Sequence, residues 1–150
     1  MTLKEQLQAD LTTALKARDE LRLSTLRMAL SAITNEEVAG KEARELSDED
    51  VITVLTREAK RRREAAEAFD EGARVELAQR ERDEGEVLAA YLPAQLTDEE
   101  LTAMVAEAIA ESGADSPKAM GQVMKILNPQ IAGKAEGGRV AAEVRRQLGT

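Results

Sequence analysis

The chain reads as all-α, built as two helical bundles in succession: an N-terminal four-helix bundle over 1–92 and a C-terminal three-helix unit over 93–150. Three observations predict this. Apolar residues recur at three- and four-residue intervals, and β-branched runs of period two are absent. The residues available for a core are Leu, Ile, Val, Met and Ala, with one Tyr, one Phe and no Trp, which suits helix packed on helix. Ser or Thr, followed three residues later by an acid, stands where several apolar stripes begin, as at capped helix starts.

The elements follow in order. Thr2 and Glu5 have capping-box spacing, and Leu3, Leu7, Leu11, Ala14 and Leu15 then share one helical face. A second helix begins after Asp19, carries Leu23, Leu26, Leu30 and Ile33 on one stripe, and runs out near Gly40. Ser47 before Asp48, Glu49 and Asp50 marks a third start, with acids where the helix dipole favours them. This helix directs Val51, Val54, Leu55, Ala59, Ala66 and Phe69 to a core and ends at Gly72. A fourth, roughly Val75 to Ala90, presents Leu77, Val87 and Leu88 and is otherwise heavily charged.

Pro93 biases Leu92 away from helix, so the stretch Tyr91 to Leu96 is a strap and the domain boundary falls at 92/93. Thr97 and Glu100 form another capping box, opening a helix that Gly113 stops. Ser116 and Pro117 start the next, which is expected to end near Leu127, interrupted by Asn128-Pro129. Gly133 and Gly137-Gly138 are expected as loops, with a last helix from Arg139 to Leu148.

Composition removes whole classes of chemistry. Zero cysteines exclude disulfides, thiolate zinc sites and cysteine nucleophiles, and zero histidines exclude the usual near-neutral acid or base. The N-terminus is charged at once and no stretch approaches a membrane-spanning run, so a cytoplasmic protein without membrane contact is expected. The net charge of −8 argues against indiscriminate nucleic-acid binding, but it is unevenly placed. Residues 97–116 hold Asp98, Glu99, Glu100, Glu107, Glu111 and Asp115 and no base. Residues 117–150 hold Lys118, Lys125, Lys134, Arg139, Arg145 and Arg146 against Glu136 and Glu143, a net of 6 − 2 = +4. A basic tail suits a polyanionic partner; equally, it suits a tail lying against its own acidic neighbour.

The stretch Met120-Gly121-Gln122-Val123-Met124-Lys125, followed by Gly133-Lys134-Ala135-Glu136, sets glycines beside lysines, which lets backbone and cation approach a phosphate together. These strings, with Leu92-Pro93, Gln95-Leu96, Arg22-Leu23-Ser24-Thr25-Leu26-Arg27, Asn35-Glu36-Glu37 and Arg57-Glu58-Ala59-Lys60-Arg61-Arg62, resemble the GatB/YqeY family over essentially the whole chain. The resemblance is to a free-standing YqeY-like protein and to the C-terminal tail of the B subunit of the Asp/Glu-tRNA amidotransferase. It implies the four-plus-three helical fold and a tail that helps hold tRNA, in a context of glutamine-dependent carbon–nitrogen ligase activity. Ile126 to Ala132 departs from the tail pattern as an enlarged connection.

Catalytic readings fail on inventory. Ser24, Ser31, Ser47, Ser112 and Ser116 lie in helices or at caps, outside any glycine-rich loop that would supply an oxyanion hole, and there is no Walker-type glycine run. Asp48-Glu49-Asp50 and Asp98-Glu99-Glu100 each open a helix behind a Ser or Thr, so dipole complementation accounts for them better than a metal. The run Arg57, Lys60, Arg61, Arg62, Arg63 is an alternative anion site, opposed by Glu64 and Glu67 as i,i+4 partners. Glu58 and Arg62 fall near the apolar stripe and read as a partly buried structural pair.

The leading expectation is thus a non-catalytic protein with no cofactor and no metal, whose C-terminal unit binds tRNA or a tRNA-bearing complex. Lys118, Lys125, Lys134 and Arg139 are the expected phosphate contacts, with Gly121 and Gly133 allowing close approach. Stacking platforms are missing, since Tyr91 is in the strap and Phe69 reads as core, so contact would be with sugar–phosphate backbone. The alternative is a protein–protein adaptor without RNA affinity. Amidotransferase activity in its own right would need another subunit to supply the site.

Overall fold

The computed structural model describes residues 1–149 and places them in two compact units, one over 1–92 and one from 93 onward, with Thr150 outside the described residues. The first unit contains α1 (Leu3–Ala17), α2 (Glu20–Val38), α3 (Asp48–Glu71) and α4 (Val75–Ala89). The second contains α5 (Asp98–Ser112), a 3-10 turn (Pro117–Ala119), α6 (Met120–Ile131) and α7 (Gly137–Leu148). Among the described residues there is no strand, and no helix is long and apolar enough to cross a membrane.

Three of the four helix starts of the first unit are capped by a side chain, and α4 starts at Arg74 without one. Thr2 and Ser47 form complete capping boxes with Glu5 and Asp50, and the Asp19 carboxylate accepts the Arg22 N–H at 3.1 Å. Asp48 Oδ1 also accepts the Leu3 N–H at 2.9 Å, which ties the start of α3 to the start of α1. Lys4 Nζ meets Glu37 at 2.9 Å, fastening α1 to the end of α2. The core they enclose centres on Leu7, Leu26, Ile33, Val51, Val54, Leu55, Val87 and Leu88.

That core occupies only the first half of α3 and the last half of α4. This corrects two expectations. Leu77 lies on the stripe of Leu88 but toward the α3–α4 turn, beyond the core cluster, and is 41 % exposed. Phe69, also near the turn, is only half-buried. Ala78 is buried at the position next to Leu77, and with Ala66 it lies outside the main cluster.

Between core and turn, α3 and α4 meet through charge. Arg62 stands among Glu58, Glu81 and Glu84, so the sequence pairing of Glu58 with Arg62 is one edge of a four-residue cluster. Arg61 reaches Glu58 and Arg80 reaches Glu84 from outside. Burial, and then the neighbouring Glu84 charge, push the Glu81 carboxyl above its ordinary range.

In the second unit, Leu101, Val105 and Ala108 of α5 face Val123, Leu127 and Ile131 of α6 and Val140, Val144 and Leu148 of α7. The structure corrects four expectations here. Thr97 accepts the Glu100 N–H at 3.1 Å without a reciprocal bond, so the capping box is half-formed. Ser116 makes no side-chain cap, and Pro117 opens a 3-10 turn rather than an α-helix. Pro129 sits inside α6, which continues to Ile131, so 126–131 is helix and not a connection. Gly137 and Gly138 are the first residues of α7, not a loop.

Candidate nucleic-acid interface

The 3-10 turn and α6 present an acid-free stretch, Ser116 to Ala135, to their surroundings. Lys118 is in the turn, Gly121 and Lys125 are in α6, and all three are exposed. Lys118, in the 3-10 turn, precedes Lys125 of α6 by seven positions. Gln122 is exposed between them. A methyl group on Gly121 would meet nothing within 4 Å, so internal packing does not require glycine there.

Gly133 and Lys134 belong to a short turn after α6. Gly133 takes a left-handed backbone, φ 74°, which favours glycine. The turn is held by the strap: Gln95 Nε2 donates to Gly133 O at 2.8 Å and to Pro93 O at 2.9 Å, and the Leu96 N–H donates to Lys134 O at 2.9 Å. Ala135 is buried in the core beyond it. The Lys134 side chain is left exposed on a backbone fixed from both sides. Sequence reasoning missed this tether, because a glutamine 38 positions from its glycine partner has no local signal.

Arg139 is committed elsewhere. Its Nη2 donates to Asp98 Oδ1 at 2.8 Å, joining α7 to the first turn of α5. Arg146 bonds Glu143, which also accepts from Gln147 at 2.9 Å and from Thr102 at 3.2 Å. Those donors, Arg146 foremost, hold the Glu143 carboxyl down at about 2. The basic tail therefore does lie partly against acidic neighbours. Lys118, Lys125 and Lys134 make no ion pair among the described residues.

The alternative run on α3 is different. Arg57 pairs with Glu36, Lys60 with Glu64, and Arg61 with Glu58, so these cations are already neutralised within the first unit. The described residues contain no group of three acidic side chains that could hold a metal ion. Tyr91 donates its hydroxyl to Asp10, and burial with that bond pushes its own ionisation up to about 12. The second unit has no aromatic residue at all.

A family described as Yqey-like protein matches residues 4–148. Among curated relatives, the Clavispora lusitaniae protein named "Altered inheritance of mitochondria protein 41, mitochondrial" is 29 % identical over 87 % of this chain and 76 % of its own length. A Lachancea thermotolerans protein of the same name is 35 % identical over 57 % of this chain and 46 % of its own length. An uncharacterized Schizosaccharomyces pombe protein is 33 % identical over 61 % of this chain and 72 % of its length.

Proposed function

The chain belongs to the YqeY-like family, and on that premise we propose that its C-terminal unit is a non-catalytic module that contacts the sugar–phosphate backbone of tRNA, alone or within a tRNA-bearing complex. The observation that carries this reading is the set of exposed lysines Lys118, Lys125 and Lys134, which make no ion pair among the described residues, in a stretch of sequence without an acid. Lysine ammonium groups contact phosphates as point charges, without demanding one geometry. Gly121 leaves the helix backbone open between two of them, where a sugar edge can approach. Association with the tRNA amidotransferase, and cytoplasmic residence, are parts of the same proposal.

The mode of contact follows from what the unit lacks. Without an aromatic side chain it has nothing on which to stack a base, so a folded or duplex RNA suits it better than a single strand. Titration of labelled tRNA at low and near-physiological salt, with duplex RNA and duplex DNA as competitors, tests the reading. Saturable, salt-sensitive binding that prefers tRNA is expected. No binding even at low salt, with the tRNA either free or held by its aminoacylation machinery, would remove it.

A second reading, a protein–protein adaptor without RNA affinity, has one observation in its favour. The α3–α4 turn exposes Val75 and Leu77 beside an open depression of about 400 Å³ lined by Ala73, Arg74, Val75, Glu76 and Leu77. A charge-insensitive complex unaffected by changes at the lysines would favour it.

A further inference from the structure

Arg62 is the odd member of the α3–α4 charge cluster. Its side chain is 15 % exposed and its nitrogens lie 3.3 Å from Glu84 Oε2, 3.8 Å from Glu81 Oε2 and 3.8 Å from Glu58 Oε2. None of these approaches is an aligned hydrogen bond. Arg62 Nε and Glu81 Oε2 are both buried without a hydrogen-bond partner. The hydrogen bond the guanidinium does make runs from Nη2 to the Met28 sulfur on α2, at 3.3 Å. A thioether is a weak acceptor, so a charged donor fork is aimed at a poor partner.

We propose that Met28 is an oxidation site whose sulfoxide oxygen is received by Arg62. Met28 is 38 % exposed, so a small peroxide can reach it. The sulfur lone pair attacks one peroxide oxygen, and the O–O bond breaks as the S–O bond forms. The proton of the attacked oxygen passes to the departing hydroxide, which leaves as water. Sulfur gives up two electrons and the peroxide accepts them. The guanidinium beside the sulfur stabilises negative charge as it develops on the departing oxygen. Afterwards the strong S–O dipole replaces a weak acceptor in front of a half-buried cation.

This reverses the usual consequence of methionine oxidation, which is loss of packing. Met104, Met120 and Met124 pack partly buried against the second core, where the surroundings are apolar. Met1 is exposed, but among the described residues no guanidinium donates to its sulfur. Met28 combines access with a donor already in place.

The test treats the full chain with hydrogen peroxide, maps oxidation by peptide mass, and follows unfolding by the fluorescence of Tyr91. That residue is the sole tyrosine in a chain without tryptophan, so it reports on the first unit. Met28 should oxidise at least about fivefold faster than Met104, Met120 and Met124. The transition of the first unit should then rise by roughly 4 °C. Met28→Gln, whose amide oxygen stands in for the sulfoxide, should raise it without peroxide, and Met28→Leu should not respond. Met28 reacting no faster than those three, or a transition that falls or stays in place on oxidation, overturns the proposal.

Discussion

Replacing Lys125 and Lys134 together by glutamine is the perturbation that bears most directly on the proposed interface. Neither lysine makes an ion pair among the described residues, and glutamine matches lysine in helix propensity, so the fold has no reason to change. Each phosphate contact contributes about 0.9 to the slope of log K against log salt, so the three lysines imply a slope near −2.7 and the double variant about −0.9. Between about 50 and 200 mM salt, the parent's affinity should then fall roughly 40-fold and the variant's roughly 3.5-fold. Fluorescence anisotropy with labelled tRNA across a salt series measures both slopes, and circular dichroism checks that helicity is retained. A variant slope equal to the parent's would mean that these lysines touch no phosphate. A parent slope near zero would remove electrostatic contact altogether.

Other outcomes follow from the same contacts. Asp98→Asn releases Arg139 from its 2.8 Å ion pair and should steepen the salt slope by about 0.9; since the Asp98 carboxylate is 94 % exposed, stability should hardly change in a thermal melt. The raised Glu81 pKa gives a definite sign to pH dependence: the folded state holds this proton more tightly than the unfolded chain, so the associated stability is present at low pH and lost as pH rises through the folded value. Glu81→Gln should therefore stabilise the first unit at pH 7 and flatten its profile through mild acid in Tyr91-monitored melts, whereas exposed Glu86→Gln should track the parent. Leu127→Ala, at a fully buried position of α6, should cost the second unit about 2–5 kcal/mol by denaturant unfolding, and should abolish tRNA binding with every lysine still present.

The helical pattern was legible because it is local. Leu7, Leu26, Ile33, Val51 and Leu55 recur at helical spacing, and the capping boxes of Thr2 and Ser47 are each complete within four residues. Reading failed where a tertiary contact outweighed a local preference. Proline inside a helix costs about 3 kcal/mol or more. At Pro129 that cost is opposed by burial of Ile131 two residues on, worth about 1.5–3 kcal/mol, and by the continuous stripe from Val123 and Leu127. Gly137 and Gly138 fall in the first turn of α7, whose amide hydrogens have no intrahelical acceptor, and the buried stripe Val140, Val144, Leu148 carries the helix back over them. Leu77 was misread because α4 faces α3 there through Glu81 and Glu84, a charged stripe that an apolar count passes over. For the candidate site, the lysines were visible in the composition, but the pairing of Arg139 with Asp98 joins residues 41 positions apart.

Those pairings also bear on the choice between the two basic regions. A run of five cations on α3 is the denser charge, yet Glu36, Glu58 and Glu64 accept Arg57, Arg61 and Lys60, and Arg62 is turned inward to α4. A phosphate binding there would have to displace carboxylates that the fold already holds in place. Lys118, Lys125 and Lys134, by contrast, make no ion pair among the described residues. The whole chain nonetheless carries −8, which opposes the approach of a polyanion from a distance. At physiological ionic strength that repulsion is screened beyond about 8 Å, while a lysine at a phosphate acts within it. The balance disfavours rapid capture of free RNA. It favours a tRNA presented at close range by another protein, and for that reason the salt series should be run with the tRNA both free and held by its aminoacylation machinery.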